Sequence, residues 1–191
     1  MITFQAKYTT SATIGKFNKA KEVVPYKAAV VELNPDDVRD AFSLNFLSYF
    51  SLKKRGFSGA IYDNFLATKN GKINRNRVKY YALTKEQDSY KYIKSRNILG
   101  LVQISSVPIF NNSIYVDYLQ TIKSRFFNKY NHVGTETLNF LKKTYPNKDI
   151  VLRAVANTVN FYKKNEFFET ENGKRDGLVE MRYSCEQFSC P

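Results

Sequence analysis

The 191-residue sequence predicts a mixed α/β (α+β) domain. Its centre is a mostly antiparallel sheet of about six to seven strands flanked by helices, with one parallel strand pair. Three observations predict this. A valine-rich strand leads directly into a long helix. Several short β-branched and aromatic segments follow, separated by turn residues. One helix then links the strand at 114–122 to the strand at 149–155, a crossover that makes those two strands parallel neighbours.

The elements follow in order. "YKAAVVEL", Tyr26 to Leu33, is a short apolar run and reads as a strand. "NPDDVRDAFSLNFLSYFSLKKRG" reads as a helix, with Asn34 as cap, Pro35 in the first position and Asp36 and Asp37 at the positive end of the dipole. Val38, Ala41, Phe42, Asn45, Phe46 and Tyr49 recur at helical steps as a mostly apolar face, and Gly56 ends the helix. The segment through "NGKINRNR" is turn-rich and reads as a loop or short helix. Strands follow at Val78–Thr84, Asn97–Pro108 and Ile114–Ile122. A helix around Gly134 carries the stripe Val133, Leu138, Leu141 and Tyr145 and stops at Pro146. "DIVLRAV" is the next strand, and "NTVNFYKKN" a short helix with Asn157 as its cap. "EFFET" and "GLVEMRYS" close as two strands around the turn "ENGKRDG".

Composition narrows the class. Hydrophobic residues at 43% and aromatics at 15% exclude a disordered polypeptide. No run of eighteen apolar residues predicts a membrane span, and the start "MITFQAKYTTSATIGKF" lacks a secretory pattern, so a cytoplasmic protein is expected. Cys185 and Cys190 read as reduced thiols in a tail, and with one histidine in the chain no metal site is expected. The net charge is +13, and residues 53–79 alone contribute +7. Such a field attracts anions, nucleic acid included, although a solvated basic face gives the same pattern.

"KYNHVGTETLNFLKKTYP" places a glycine at the start of a helix. A helix N-terminus offers unpaired N–H groups and about half a positive charge, and glycine lets a phosphate come close. The amides of Tyr130, Asn131, His132, Val133, Gly134 and Thr135, with the side chain of Lys129, are the candidate phosphate cradle. On spacing alone a loop meeting a helix is the commoner reading, because one glycine before one helix is a common pattern.

Together with "LRAVANTVNFYKKNEFFE", this segment resembles the GNAT (GCN5-related) N-acetyltransferase superfamily. Lys129 stands where the family's Gln/Arg-x-x-Gly-x-Gly/Ala loop has Gln/Arg, His132 where it has its first glycine, and Gly134 where it has its second. "FYKKNEF" is similar to the family's Phe-Tyr-x-Lys-x-Gly-Phe, matching at Phe161, Tyr162, Lys164 and Phe167, with Glu166 in place of glycine. The resemblance covers residues 26–184 as an acetyltransferase-like domain, leaves 1–25 as an N-terminal extension and 185–191 as a tail, and implies the acyl-CoA N-acyltransferase fold with its parallel pair at the cofactor cleft.

The resemblance also implies an activity, acetyl transfer from acetyl-CoA to a primary amine without a metal. Tyr162 is then the proton donor to the coenzyme A thiolate, and its ordinary pKa near 10 keeps it protonated. The strand at Leu119, Gln120 and Thr121 serves the pantetheine arm and the acetyl carbonyl, and Asn157 the same arm. Asp117, two residues from Leu119, is the candidate base, or a surface carboxylate. His132 either donates to a phosphate oxygen or fills the loop.

The acceptor is expected to border the basic stretch. Lys69, Lys72, Arg75 and Arg77 are the candidate contacts, with Tyr62, Phe65, Tyr80 or Tyr81 available to stack. That field disfavours a free polyamine and suits an amine on an anionic scaffold, such as aminoacyl-tRNA, or an amine beside an acidic protein surface. The chain is expected to be a monomer or homodimer. The rival reading is a nucleic-acid-binding module on the same fold with a degenerate cofactor site.

Overall fold

The structure is a computed structural model that describes residues 6–52, 57–90, 92–106, 112–122 and 130–186. These form nine strands and four helices. The chain divides into two compact units: residues 1–103 with 118–137, and residues 104–117 with 138–191.

The first unit holds β1 (Lys7–Phe17), β2 (Val23–Leu33), α1 (Val38–Leu52), α2 (Ser58–Lys69), β3 (Val78–Lys85) and β6 (Tyr130–Asn131). It also contains most of β4 (Ile98–Ser106), the end of β5 (Ser113–Thr121) and the first turn of α3 (Val133–Thr144). Its strand order is β6-β1-β2-β3-β4-β5. β1 pairs antiparallel with β2 from Lys7↔Glu32 to Phe17↔Val23. Much of the segment placed in an N-terminal extension is therefore sheet. With the two-residue β6, β1 takes the strand count above the expected six to seven. Leu33, Leu44, Ile61, Phe65, Tyr80 and Leu101 belong to the core of this unit.

α1 corrects the sequence reading in two ways. Its cap is Asp37, whose Oδ1 accepts from the Arg39 amide at 2.8 Å, while Asn34 Oδ1 accepts from the Asp36 amide in a turn before the helix. Its buried face is Asp40, Ser43, Leu44, Leu47 and Ser48, and the expected apolar face of Val38, Phe42, Phe46 and Tyr49 is exposed. The small serines explain the choice. Ser43 Oγ donates to the Ile93 carbonyl at 2.5 Å and Ser48 Oγ to the Asn45 carbonyl at 2.7 Å, so both are satisfied in the interior. Gly56, the expected helix end, lies outside the described residues. Part of the segment read as a loop or short helix is the twelve-residue α2.

The second unit holds β7 (Asp149–Val155), α4 (Val159–Lys163), β8 (Phe168–Arg175) and β9 (Leu178–Tyr183), with the rest of β4, β5 and α3. Its strand order is β4-β5-β7-β9-β8. β5 and β7 are the parallel pair, in register from Ser113↔Asp149 to Val116↔Leu152. On its other edge β7 pairs with β9 as far as Val155↔Leu178. The closing hairpin turns at Asp176 (φ 54°) and Gly177 (φ 75°), two left-handed residues that match the twist of the strands.

Candidate active site

In the first unit, the candidate phosphate cradle begins with β6. Tyr130 and Asn131 pair with Lys16 and Gly15 of β1, so they are strand residues rather than an open loop. Tyr130 packs on Tyr26 with ring centroids 5.3 Å apart. Burial first, then Tyr26, pushes its phenol up to about 12, and it stays protonated at neutral pH. Lys129 lies outside the described residues.

His132 follows with φ 61°, the left-handed conformation that glycine adopts without strain. Its amide donates to Asn131 Oδ1 at 2.9 Å and its carbonyl accepts from the Glu136 amide at 2.9 Å. That second bond is the first of α3. The amides of Val133, Gly134 and Thr135 therefore have no acceptor within the helix. The His132 side chain leans toward β1: a Cβ on Gly15 would stand 3.4 Å from its Cδ2 and 2.6 Å from Val23 Cγ1.

Gly100 on β4 sets the height of this helix start. A Cβ there would come within 2.9 Å of Val133 Cγ1 and 3.4 Å of the Gln120 carbonyl oxygen. Only a residue without a side chain lets the first turn of α3 rest on the strand. Leu119, Gln120 and Thr121 are half-buried on β5. The Gln120 side chain is engaged elsewhere: its Oε1 accepts from the Ser58 amide at 2.6 Å, at the start of α2. Sequence reasoning passed over Gly15 and Gly100, although a glycine inside a strand pattern is the usual mark of a close approach.

Of the acceptor candidates, Lys69 and Lys72 are exposed, as is Arg77. Arg75 forms a two-pronged pair with Asp36 at 2.7 and 3.2 Å, which reduces its pull on another anion. Phe65, Tyr80 and Tyr81 are buried, which rules them out as stacking platforms, and Tyr62 is half-buried. Tyr80 Oη shares a hydrogen bond with Thr68 Oγ1 at 2.8 Å.

In the second unit, the parallel register stops at Leu152, and beyond it Arg153 to Val155 pair only with β9 among the described residues. A 3-10 turn at Ala156–Thr158 leads into α4, whose cap position is Thr158. Asn157 is exposed in that turn and does not cap the helix as expected. Asp117 is exposed on β5, and Ser105 Oγ donates to its Oδ1 at 2.9 Å.

Tyr162 is 9% exposed. Its ring meets Phe161 and Phe167 edge-on, with centroids 5.0 and 5.9 Å apart. Asp40 Oδ1 and Gln87 Nε2 are the only buried side-chain polar atoms without a partner among the described residues, so the Tyr162 hydroxyl is not sealed away unsatisfied. Burial raises its pKa and keeps the proton on it. The end of α4 fixes this residue. The Phe167 amide donates to the Tyr162 carbonyl at 3.1 Å and the Glu166 amide to the Lys163 carbonyl at 3.1 Å, with Glu166 left-handed at φ 68°. This is a Schellman turn, which ordinarily calls for glycine at the Glu166 position.

No protein-family model matches the chain, and no curated protein matches it in sequence. Solved structures do match. The chain is similar to the catalytic domain of the Tetrahymena GCN5 histone acetyltransferase in complex with coenzyme A, at 10% identity, over 84% of this chain and 93% of that one, with a TM-score of 0.52. It is also similar to a mutant of the spermidine N-acetyltransferase SpeG from Vibrio cholerae, at 14% identity, over 84% and 95% of the two chains, with a TM-score of 0.55. The chain has the acyl-CoA N-acyltransferase fold of the GNAT proteins. No helix among the described residues is long and apolar enough to cross a membrane.

Proposed function

We propose that this chain is an acetyl-CoA-dependent N-acetyltransferase acting by direct transfer to a primary amine. The observation that carries the reading is His132: a non-glycine residue at φ 61°, directly before three helix-start amides, at the position where the resembled motif has glycine. Holding an L-residue there costs about 1–2 kcal/mol. Such strain persists where the surroundings enforce it, and an anion cradle is a reason to keep it.

In this reading each residue has a part in holding the cosubstrate. The amides of Val133, Gly134 and Thr135 offer donors to a diphosphate, with Lys129 as a neighbouring charge and Tyr130 and Asn131 anchoring the approach. The backbone of Leu119 to Thr121 offers donors and acceptors to an amide-containing arm, and Asn157 a further side-chain amide. Acetyl-CoA supplies the acetyl group as a thioester, with a thiolate as the leaving group.

The chain's own residues manage the protons. The acceptor nitrogen forms a bond to the acetyl carbon as the carbon–sulfur bond breaks. Tyr162 delivers its phenolic proton to the departing sulfur, and the surplus proton on nitrogen leaves to Asp117, directly or through water. The Tyr162 phenolate then recovers a proton from solvent.

The acceptor in this reading is an amine on an anionic scaffold, such as aminoacyl-tRNA or an acidic protein surface. The net charge of +13 disfavours a free polyamine, and Lys69, Lys72 and Arg77 give phosphates or carboxylates a place to bind, with Arg75 joining only if it leaves Asp36.

The test is ligand-linked stability. Acetyl-CoA at a hundred times its dissociation constant should stabilise the fold by about 2.7 kcal/mol, read as a rise in melting temperature. An unmoved transition at millimolar acetyl-CoA sinks the reading.

A further inference from the structure

We propose that Gln120 is a positioning residue that couples the cofactor arm to the acceptor side, by holding the start of α2 to the strand that carries the arm. The inference rests on the acetyltransferase reading above. It begins with one bond. Ser58 opens α2 and is 1% exposed, and Phe57 at the cap position has no side-chain oxygen to accept its amide. A buried amide at a helix start needs an acceptor, or the fold bears its desolvation. Gln120 Oε1 accepts it at 2.6 Å.

Gln120 is thus engaged twice. Its backbone lies between Leu119 and Thr121, the proposed seat of the arm. Its side chain leaves β5 to cap a helix that starts 62 residues earlier in the chain. Tyr118, on the same side of the strand by its two-residue period, places its ring 5.5 Å from that of Phe57. Ser58 Oγ also donates to the Leu47 carbonyl of α1 at 3.4 Å.

α2 is bonded to three strands in turn. Ser58 reaches β5, Asn64 Nδ2 donates to Gln103 Oε1 of β4 at 3.1 Å, and Thr68 meets Tyr80 of β3. Of these three bonds, the one at Gln120 reaches the strand of the arm. The far end of α2 carries Lys69, and the turn after it Lys72, whose amide donates to the Ala67 carbonyl at 2.8 Å. The proposed acceptor cations therefore belong to the helix that Gln120 holds. An arm bound along Leu119 to Thr121 steadies the strand, and through Gln120 it steadies α2. Ordering shared by two sites couples them, and the coupling is reciprocal: an anion held by Lys69 and Lys72 favours the arm by the same factor.

Hydrogen exchange at the Ser58 amide, read by NMR on the full chain, tests this. Without ligand, Gln120→Leu is expected to speed exchange about tenfold, the worth of one hydrogen bond. Gln120→Glu is expected to restore protection, since its carboxylate accepts at the positive end of the helix. Saturating acetyl-CoA is expected to slow exchange about fivefold or more in wild type and in Gln120→Glu, and to leave Gln120→Leu unmoved. Melting temperatures verify folding, and calorimetry verifies saturation. If leucine unfolds the chain, wild type with and without acetyl-CoA still decides. Equal exchange in unliganded wild type and Gln120→Leu overturns the proposal, as does equal slowing of both by acetyl-CoA. A folded Gln120→Leu that no longer binds acetyl-CoA overturns it in favour of a direct contact. Acetyl-CoA binding that leaves the wild-type Ser58 amide unmoved sinks the coupling alone. No binding by wild type sinks the acetyltransferase reading and the coupling with it.

Discussion

Lys142 on α3 donates from Nζ to Glu166 Oε2 at 2.7 Å and, from the same atom, to the carbonyl of Asn165 at 2.8 Å. It lies 4.4 Å from the centre of the Tyr183 ring. One cation thus ties the end of α4 to α3 and holds a residue that would otherwise resist its backbone angle. Glu166 shares that angle with His132, at φ 68° and 61°. Both stand where the resembled motifs have glycine. The fold holds a glycine-like conformation at both positions with another residue in place.

A substitution at Glu166 separates the two effects. Glu166→Gly removes strain of about 1–2 kcal/mol and an ion pair worth at most about 1 kcal/mol, since the carboxylate is half in solvent. Glu166→Ala loses the pair and keeps the strain. Denaturant unfolding should find the glycine variant more stable than the alanine variant by about 1 kcal/mol. Equal stabilities would show that the turn relaxes.

Gly100→Ala should cost about 1–3 kcal/mol, because the new methyl meets Cγ1 of the buried, β-branched Val133 at 2.9 Å. The same displacement moves the first amides of α3, so acetyl-CoA binding should weaken as well. Adding Val133→Ala makes room, and the double variant should be less destabilised than the sum of the two singles, with cofactor affinity partly restored. Additive losses in calorimetry would count against this contact as the cause.

These positions show what the sequence could convey. β7 was legible to the residue as "DIVLRAV", and most of the α3 stripe was legible, since Val133, Leu138 and Leu141 are buried, while Tyr145, expected in the same stripe, is half-buried just past the end of the helix. α1 was not, because both of its faces carry large apolar residues. The choice between them was made by Ser43 and Ser48, whose hydroxyls find carbonyls inside, and periodicity is blind to such bonds. β6 is only two residues long, and it exists through pairing with Gly15 and Lys16, more than a hundred positions earlier. The left-handed angles at His132 and Glu166 had no local signal, since neither residue type announces one. The link from motif to angle came from the resemblance alone.

Asp40 gives the fold an unusual pH dependence. It is 1% exposed, its Oδ2 accepts from the Asn34 amide at 2.9 Å, and its Oδ1 has no partner. Burial is the main cause that pushes its pKa from 3.8 up to about 6. A carboxyl that holds its proton more tightly when folded stabilises the fold below about pH 4 and loses that contribution as pH rises through 6. Stability should therefore fall by up to about 3 kcal/mol across this window on account of Asp40. Asp37 and Asp149 act in the opposite sense at lower pH. Hydrogen bonds from Arg39 and Arg182 hold their pKa values below 3.8 despite burial, so their stabilisation is lost only as pH drops beneath that value. Unfolding free energies of wild type and Asp40→Asn, compared from pH 4 to 8, should diverge as pH rises, with the asparagine variant flatter. Parallel curves would remove Asp40 as the source.

Tyr162→Phe isolates the proposed proton donor. The variant keeps the ring against Phe161 and Phe167 and deletes only the hydroxyl, which carries no buried unmet bond, so stability should move by less than about 0.5 kcal/mol. The dissociation constant for acetyl-CoA should also hold. Turnover should not, because the leaving sulfur then departs as a bare thiolate. General-acid catalysis contributes about 10²–10⁴-fold, and a loss of about 100-fold in kcat is expected. The pH profile distinguishes this from a structural effect. Burial raises the Tyr162 pKa above 10, so wild-type kcat should stay high through neutral pH and fall only above the ordinary phenol range, as the donor loses its proton. Without the hydroxyl that alkaline fall should vanish. A phenylalanine variant with full turnover, or with the same alkaline limb as wild type, would take Tyr162 out of the chemistry and leave it as one more ring in an aromatic cluster.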